Sequence, residues 1–205
     1  MTTFKSLILI FLIIAVAYPA LFSDCAAAVS KDAVPPKLAL PLFLKIITYD
    51  QCFNRDSISK IVVYIVSDKS VSESFEQAAE LQDFIHSTGP LKVHDIPVRP
   101  VFVSIPELKD SLKNDSKDQY RITVLTNLKR QETREVVEAC RSNHVSTFAL
   151  DPALLVDGVS VSVISDRDGA HILIDISSSR MEQTQYSAHL LKICKVYKNG
   201  DLHSE

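Results

Sequence analysis

The sequence predicts an α/β fold: a three-layer sandwich in which helices cover both faces of a mostly parallel sheet, closed by a C-terminal β-hairpin and a final helix. Three observations predict it. Strand-like runs such as Lys60 to Ser67 are continuously β-branched, as strands buried on both faces require. Amphipathic helical patterns alternate with these runs, and every crossover is long enough to hold a helix.

The N-terminus stands apart from this pattern. Lys5 precedes an apolar run from Leu7 to Ala17, Pro19 interrupts it, and Ala26 to Ala28 are small. That is the layout of a secretory signal peptide, with cleavage predicted after Ala28. The run is shorter than the roughly 20 apolar residues of a spanning helix. Asp24 lies directly before Cys25, where an acylated cysteine wants a small neutral neighbour. The predicted organisation is therefore a signal peptide over residues 1–28 and one domain over 29–205, long enough for a sizeable core.

Lys37 to Phe53 reads as the first helix, with Pro41 near its start where a missing N–H is tolerated. Lys60 to Ser67 is the first strand. Val71 to His86 places Phe75, Ala78, Leu81 and Phe84 at helical intervals, with Glu73 and Glu76 early and Gly89-Pro90 beyond. Val98 to Ser104 and Tyr120 to Thr126 read as strands, separated by a short helix over Pro106 to Lys113. Gln131 to Asn143 carries Val136, Val137 and Cys140 on one helical face, and Ser146 to Leu150 is a short strand. Val159 to Ser165 and Ala170 to Ile176, joined by Asp166-Arg167-Asp168-Gly169, form the hairpin. Arg180 to Tyr197 reads as the final helix, since Tyr186, Leu190, Ile193, Cys194 and Tyr197 recur at its period.

Composition removes several function classes. The chain holds 22 basic and 25 acidic side chains, a net charge of −3; cleavage after Ala28 removes Lys5 and Asp24 and leaves that balance unchanged. There is no basic stripe for nucleic acid and no basic amphipathic helix for a membrane surface. Four glycines in all permit neither GxGxxG nor a P-loop, and no GxSxG elbow exists. The six histidines form no HxxxH or HExxH pair, so neither a cofactor nor a metal is expected. A triad over Ser162, His171 and Asp175 is outweighed by the plain alternation of a polar sheet face. Asp166 and Asp168 suit a tight turn better than a catalytic pair. No residue stands out as catalytic, and the chain is expected not to be an enzyme.

Without Cys25, three cysteines remain: Cys52, Cys140 and Cys194. An odd count in an oxidising compartment means one disulfide plus a free thiol, or no pair, and the spacing chooses neither. Buried apolar cysteines are the simplest reading.

Four segments carry a family likeness. They are LFLKIITYDQCF (Leu42 to Phe53), KIVVYIVSDKSVSES (Lys60 to Ser74), VDGVSVSVISDRDGAHILIDISSSR (Val156 to Arg180) and YSAHLLKICKV (Tyr186 to Val196). Over Lys37 to Val196 the chain resembles the YfiR/HmsC-like family of bacterial periplasmic proteins. It departs from that pattern at Asp175, where members usually carry Asn, and in lacking the glycine before the aromatic-Ser pair. Within the likeness Tyr186, Ser187, Leu190, Leu191 and Lys192 form a motif of the C-terminal helix, with a structural role.

The resemblance implies a periplasmic regulator that holds a membrane diguanylate cyclase or sensor kinase inactive through its periplasmic domain, lowering cyclic-di-GMP and biofilm formation, with homodimers among relatives. Such inhibition needs only a surface with differential affinity for one state of the partner. The alternative is a periplasmic small-molecule-binding module. Open α/β sheets bind ligands beyond the carboxyl ends of their strands, where Ser67-Asp68 and Thr126-Asn127 are expected to line the crevice.

Overall fold

The computed structural model describes residues 33–113, 118–167, 169–198 and 201–203. Along the chain run α1 (Pro36–Ile46), β1 (Lys60–Val66), α2 (Ser72–Thr88), β2 (Lys92–Val93), β3 (Ile96–Val103), α3 (Ile105–Leu112), β4 (Gln119–Leu125), α4 (Arg130–Ser142) and β5 (Ser146–Ala149). They are followed by β6 (Val161–Asp166), β7 (Gly169–Asp175), α5 (Ile176–Met181), α6 (Ala188–Leu191), β8 (Lys195–Lys198) and β9 (Asp201–His203). The sheet has the order β2-β3-β1-β4-β5-β6-β7-β8-β9. Its centre, β3-β1-β4-β5-β6, is parallel throughout; β6 and β7 form the antiparallel hairpin, and β8 returns parallel to β7.

β1 explains the layering. Ile61, Val63 and Ile65 enter one core, while Val62, Tyr64 and Val66 enter the other, the alternation a period-two strand imposes. The first core is closed by Leu40 and Phe43 of α1 and Leu81 of α2, with Tyr186 and Leu190 at its margin. The second is closed by Leu108 and Leu112 of α3 and by Val136, Val137 and Cys140 of α4. The expected three-layer α/β sandwich is the observed one.

Two helices differ from expectation. α1 ends at Ile46 and passes through a 3-10 turn over Ile47–Tyr49, and Pro41 lies in its interior instead of near its start. With no N–H at Pro41, the Lys37 carbonyl loses its helical partner. The predicted final helix over Arg180 to Tyr197 does not exist as one element. α5 ends at Met181, Gln183 adopts a left-handed φ of 61°, α6 is a single turn, and Lys195 to Lys198 is strand β8. Tertiary hydrogen bonds override the helical period here: Gln51 N–H donates to the Gln185 carbonyl at 2.8 Å, and Gln185 N–H donates to Asp50 Oδ1 at 2.9 Å. Ile193, which the helical reading placed on the packing face, is 60% exposed.

Among the described residues no helix is long and apolar enough to cross a membrane. The signal-peptide segment and its cleavage position at Ala28 lie outside the described residues.

Candidate functional site

Strand order reverses at β1: the chain goes from β1 to β3 on one side, then returns to β4 on the other. Crossovers diverge at such a point and leave a crevice beyond the carboxyl ends of the strands. A cleft of about 650 Å³ opens at this edge, lined by Ser67, Asp68 and Lys69 after β1, Phe102 to Glu107 at the β3–α3 junction, and Glu132 from the first turn of α4.

Local sequence sets this geometry. Ser104 and Glu107 form a capping box at the start of α3, in which Ser104 N–H and Oγ donate to Glu107 Oε2 at 2.8 and 2.7 Å. These two hydrogen bonds hold the Glu107 carboxyl below its usual range. Asp68 closes the turn after β1 by accepting from Ser70 Oγ at 2.5 Å and Ser70 N–H at 2.8 Å. The same bonds, and Lys129 Nζ 3.5 Å away, lower its pKa. Phe102 is 38% exposed, placing an aromatic surface beside these carboxylates.

Of the two turns expected to line the crevice, Ser67-Asp68 does so and Thr126-Asn127 is absent from its lining. Thr126 is buried; its hydroxyl donates to the Val66 carbonyl at 2.9 Å and pairs with Ser74 Oγ at 2.6 Å. Asn127 is held by α2, donating from N–H to Gln77 Oε1 at 2.8 Å and from Nδ2 to Glu73 Oε2 at 2.6 Å. This turn braces the junction of β1 and α2 behind the cleft.

A second polar group lies at the amino end of the parallel strands, and sequence reasoning missed it. Glu182 is 1% exposed and accepts hydrogen bonds from Thr147 N–H at 3.1 Å and from the Thr147 hydroxyl. Burial pushes its pKa up to about 7, against the opposing pull of the Thr147 and Ser160 donors and the Arg141 charge. Nearby, Asp50 accepts from Tyr120 Oη at 2.6 Å and from Cys52 N–H at 3.1 Å. No periodicity marks Glu182 or Asp50, because each is oriented by partners far along the chain.

The remaining sequence candidates disperse. Ser162 Oγ donates to the Ala149 carbonyl at 2.8 Å, His171 Nε2 lies 2.9 Å from Asp166 Oδ1, and Asp175 caps α5 by accepting from Ser177 and Ser178 N–H. No triad is assembled, and Ser162 is buried instead of lying on a polar sheet face. Tyr186 is buried with its hydroxyl unpartnered among the described residues, Ser187 caps α6, Leu190 is buried, Leu191 is half-buried and Lys192 is exposed. The motif Tyr186 to Lys192 therefore forms a packing seam and not a continuous helix.

Cys52, Cys140 and Cys194 are all free thiols. Cys140 sits at 0% exposure in the second core, so it cannot bond the exposed Cys52 without opening the fold. Burial raises its pKa to about 12 and that of Cys194 to about 11; burial and then the Asp50 charge also raise Cys52. Since the thiolate is the reactive form, native alkylation with iodoacetamide at neutral pH is expected to be slow overall. Cys52 should label first and Cys140 only on unfolding, as read by mass spectrometry of quenched time points.

No family model matches the chain, and no curated protein is significantly similar to it. Solved structures are similar in fold. One is a conserved domain protein from Vibrio cholerae O1 biovar El Tor, at 9% identity and a TM-score of 0.52, with 79% of this chain and 60% of that chain covered. Another is the ligand-free, open structure of a substrate binding protein with adhesive properties from Clostridium difficile, at 10% identity, a TM-score of 0.54, and 82% and 61% coverage. A third is the ABC domain in complex with L-Trp from Streptococcus pneumoniae, at 13% identity, a TM-score of 0.51, and 79% and 60% coverage. The chain thus spans about 60% of the length of these proteins, and at such identities the likeness is one of fold alone.

Proposed function

We propose that this protein is a binding module that takes a small polar solute in the cleft at the carboxyl edge of β1 and β3, acting after export from the cytoplasm. The cleft itself carries this reading: it lies where an open α/β sheet receives ligands, and its lining combines an exposed aromatic ring with polar groups fixed by capping and turn hydrogen bonds. Asp68, Glu107 and Glu132 face Lys69 and Lys129, and Lys129 already lies 3.5 Å from Asp68 and 3.8 Å from Glu132. That excess of carboxylate favours a solute bearing an amino group, with Phe102 covering its apolar part. Fold neighbours described as a substrate binding protein and as a complex with L-Trp support the binding class.

The test is a melting-temperature screen of amino acids, polyamines and neutral sugars. A solute at about 100 times its Kd adds about 2.7 kcal/mol to stability, so an amine ligand is expected to raise the melting temperature, and Asp68→Asn to weaken its binding roughly tenfold. A screen in which sugars act and amines do not sinks the proposed ligand class. The regulator reading predicts instead that the immobilised protein retains a membrane diguanylate cyclase or sensor kinase; no contact described above favours it.

A further inference from the structure

At the opposite end of the sheet, remote from the carboxyl-edge cleft, α1 and α2 part over the short β2–β3 hairpin. They leave a pocket of about 310 Å³, at the small end of the size range of ligand sites. Its floor is apolar: Leu44 and Val93 are buried, and Phe84 and Leu91 are half-buried. Its rim is basic, formed by Lys45 from the last turn of α1, Lys92 from β2 and His94 from the turn. Among the described residues none of the three has a carboxylate partner; the one charge contact is Lys45 Nζ, 5.8 Å from the centroid of the Tyr49 ring. Lys113, Lys129 and Lys195 do meet carboxylates, so uncompensated cations on an apolar pocket are a local feature.

The hairpin turn adds a second, independent observation. His94 and Asp95 hold φ of 48° and 70°, the left-handed pair that two-residue hairpins usually fill with Asn-Gly. A histidine in that position is conformationally costly relative to those residues, and it places an imidazole on the rim of the pocket.

From the apolar floor and the unmatched basic rim, we infer that this pocket binds a free amphipathic carboxylate, its hydrocarbon body lying on Leu44, Phe84 and Leu91 and its carboxylate meeting Lys45 and Lys92. Charge complementarity selects the anion, and the enclosed floor selects a short aliphatic or aromatic tail over an extended polymer. The site shares no residue with the carboxyl-edge cleft, so it stands or falls separately from the reading above.

The experiment is a titration of the ¹⁵N-labelled protein with octanoate, octan-1-ol, propanoate and phosphatidylglycerol vesicles, following backbone amides. Octanoate is expected to saturate, with the largest shifts at Lys45, Leu91, Val93 and His94 and none at Asp68 or Glu107. Octan-1-ol and propanoate should each bind at least tenfold more weakly, one lacking the charge and the other the tail. Lys45→Gln combined with Lys92→Gln should weaken octanoate roughly tenfold or more with an unchanged melting temperature, since both side chains are exposed and unpaired. Equal binding of alcohol and acid, octanoate shifts at Asp68 and Glu107, undiminished octanoate binding by the double variant, or binding to vesicles but not to free octanoate would each overturn the inference.

Discussion

Replacing Phe43 by Ala is expected to remove about 3–5 kcal/mol of stability, a large part of the roughly 5–15 kcal/mol that holds a domain folded. Phe43 is 0% exposed, and its ring lies 5.0 Å from that of Phe148, itself fully buried on β5. Truncation removes the transfer free energy of the ring and leaves a cavity between α1 and the sheet. Neither neighbour can collapse freely into that space, because β5 is hydrogen-bonded on both sides and α1 is anchored by Leu40, Leu44 and Ile47. Urea denaturation checks this through the shift in midpoint at constant slope. A loss below about 1 kcal/mol would show that α1 is not integral to the first core.

Glu182 should give the protein a stability that falls as pH rises from weakly acid to neutral. Its folded pKa is about 7 against an ordinary 4.5, so the folded state holds this proton more tightly than the unfolded chain does. The contribution of the neutral carboxyl is fully present below about pH 4.5 and is lost as pH rises through about 7, to a total of about 3 kcal/mol. Glu182→Gln keeps a neutral acceptor for Thr147 N–H and removes the titration. The difference in unfolding free energy between the two proteins, measured every half unit of pH, should therefore swing in favour of the variant across that window. Parallel pH profiles would contradict the assignment.

What was legible in the sequence follows from the range of the forces involved. β1, α2, β4 and α4 are set by local patterns, such as the β-branched run at Ile61 to Val66 and the single apolar face of Val136, Val137 and Cys140. Local periodicity therefore located them within a residue or two. The segment from Glu182 to Tyr197 is governed by distant partners: Asp50 engages Gln185, Thr147 engages Glu182, and β7 pairs with β8 at Ile174 and Val196. Leu190, Ile193 and Tyr197 happen to fall at helical spacing, and that coincidence produced the false helix.

The cleft was half legible for the same reason. The topological rule points to Ser67-Asp68 directly, because that turn ends the central strand. Phe102 and Glu107 enter the lining only through the register of β3 beside β1, in which Val66 lies opposite Val103. Thr126 and Asn127 satisfy the rule by position, yet Ser74, Gln77 and Glu73 of α2 draw them behind the wall.

The central claim is that the carboxyl-edge cleft is the binding site. It is tested most directly by mapping the backbone amide shifts that the tightest solute from the melting screen produces in the ¹⁵N-labelled protein. The account predicts saturable shifts concentrated at Asp68 to Ser70 and Ser104 to Glu107, weakened by Asp68→Asn. Saturable shifts confined to other surfaces, with these residues unmoved, would contradict it.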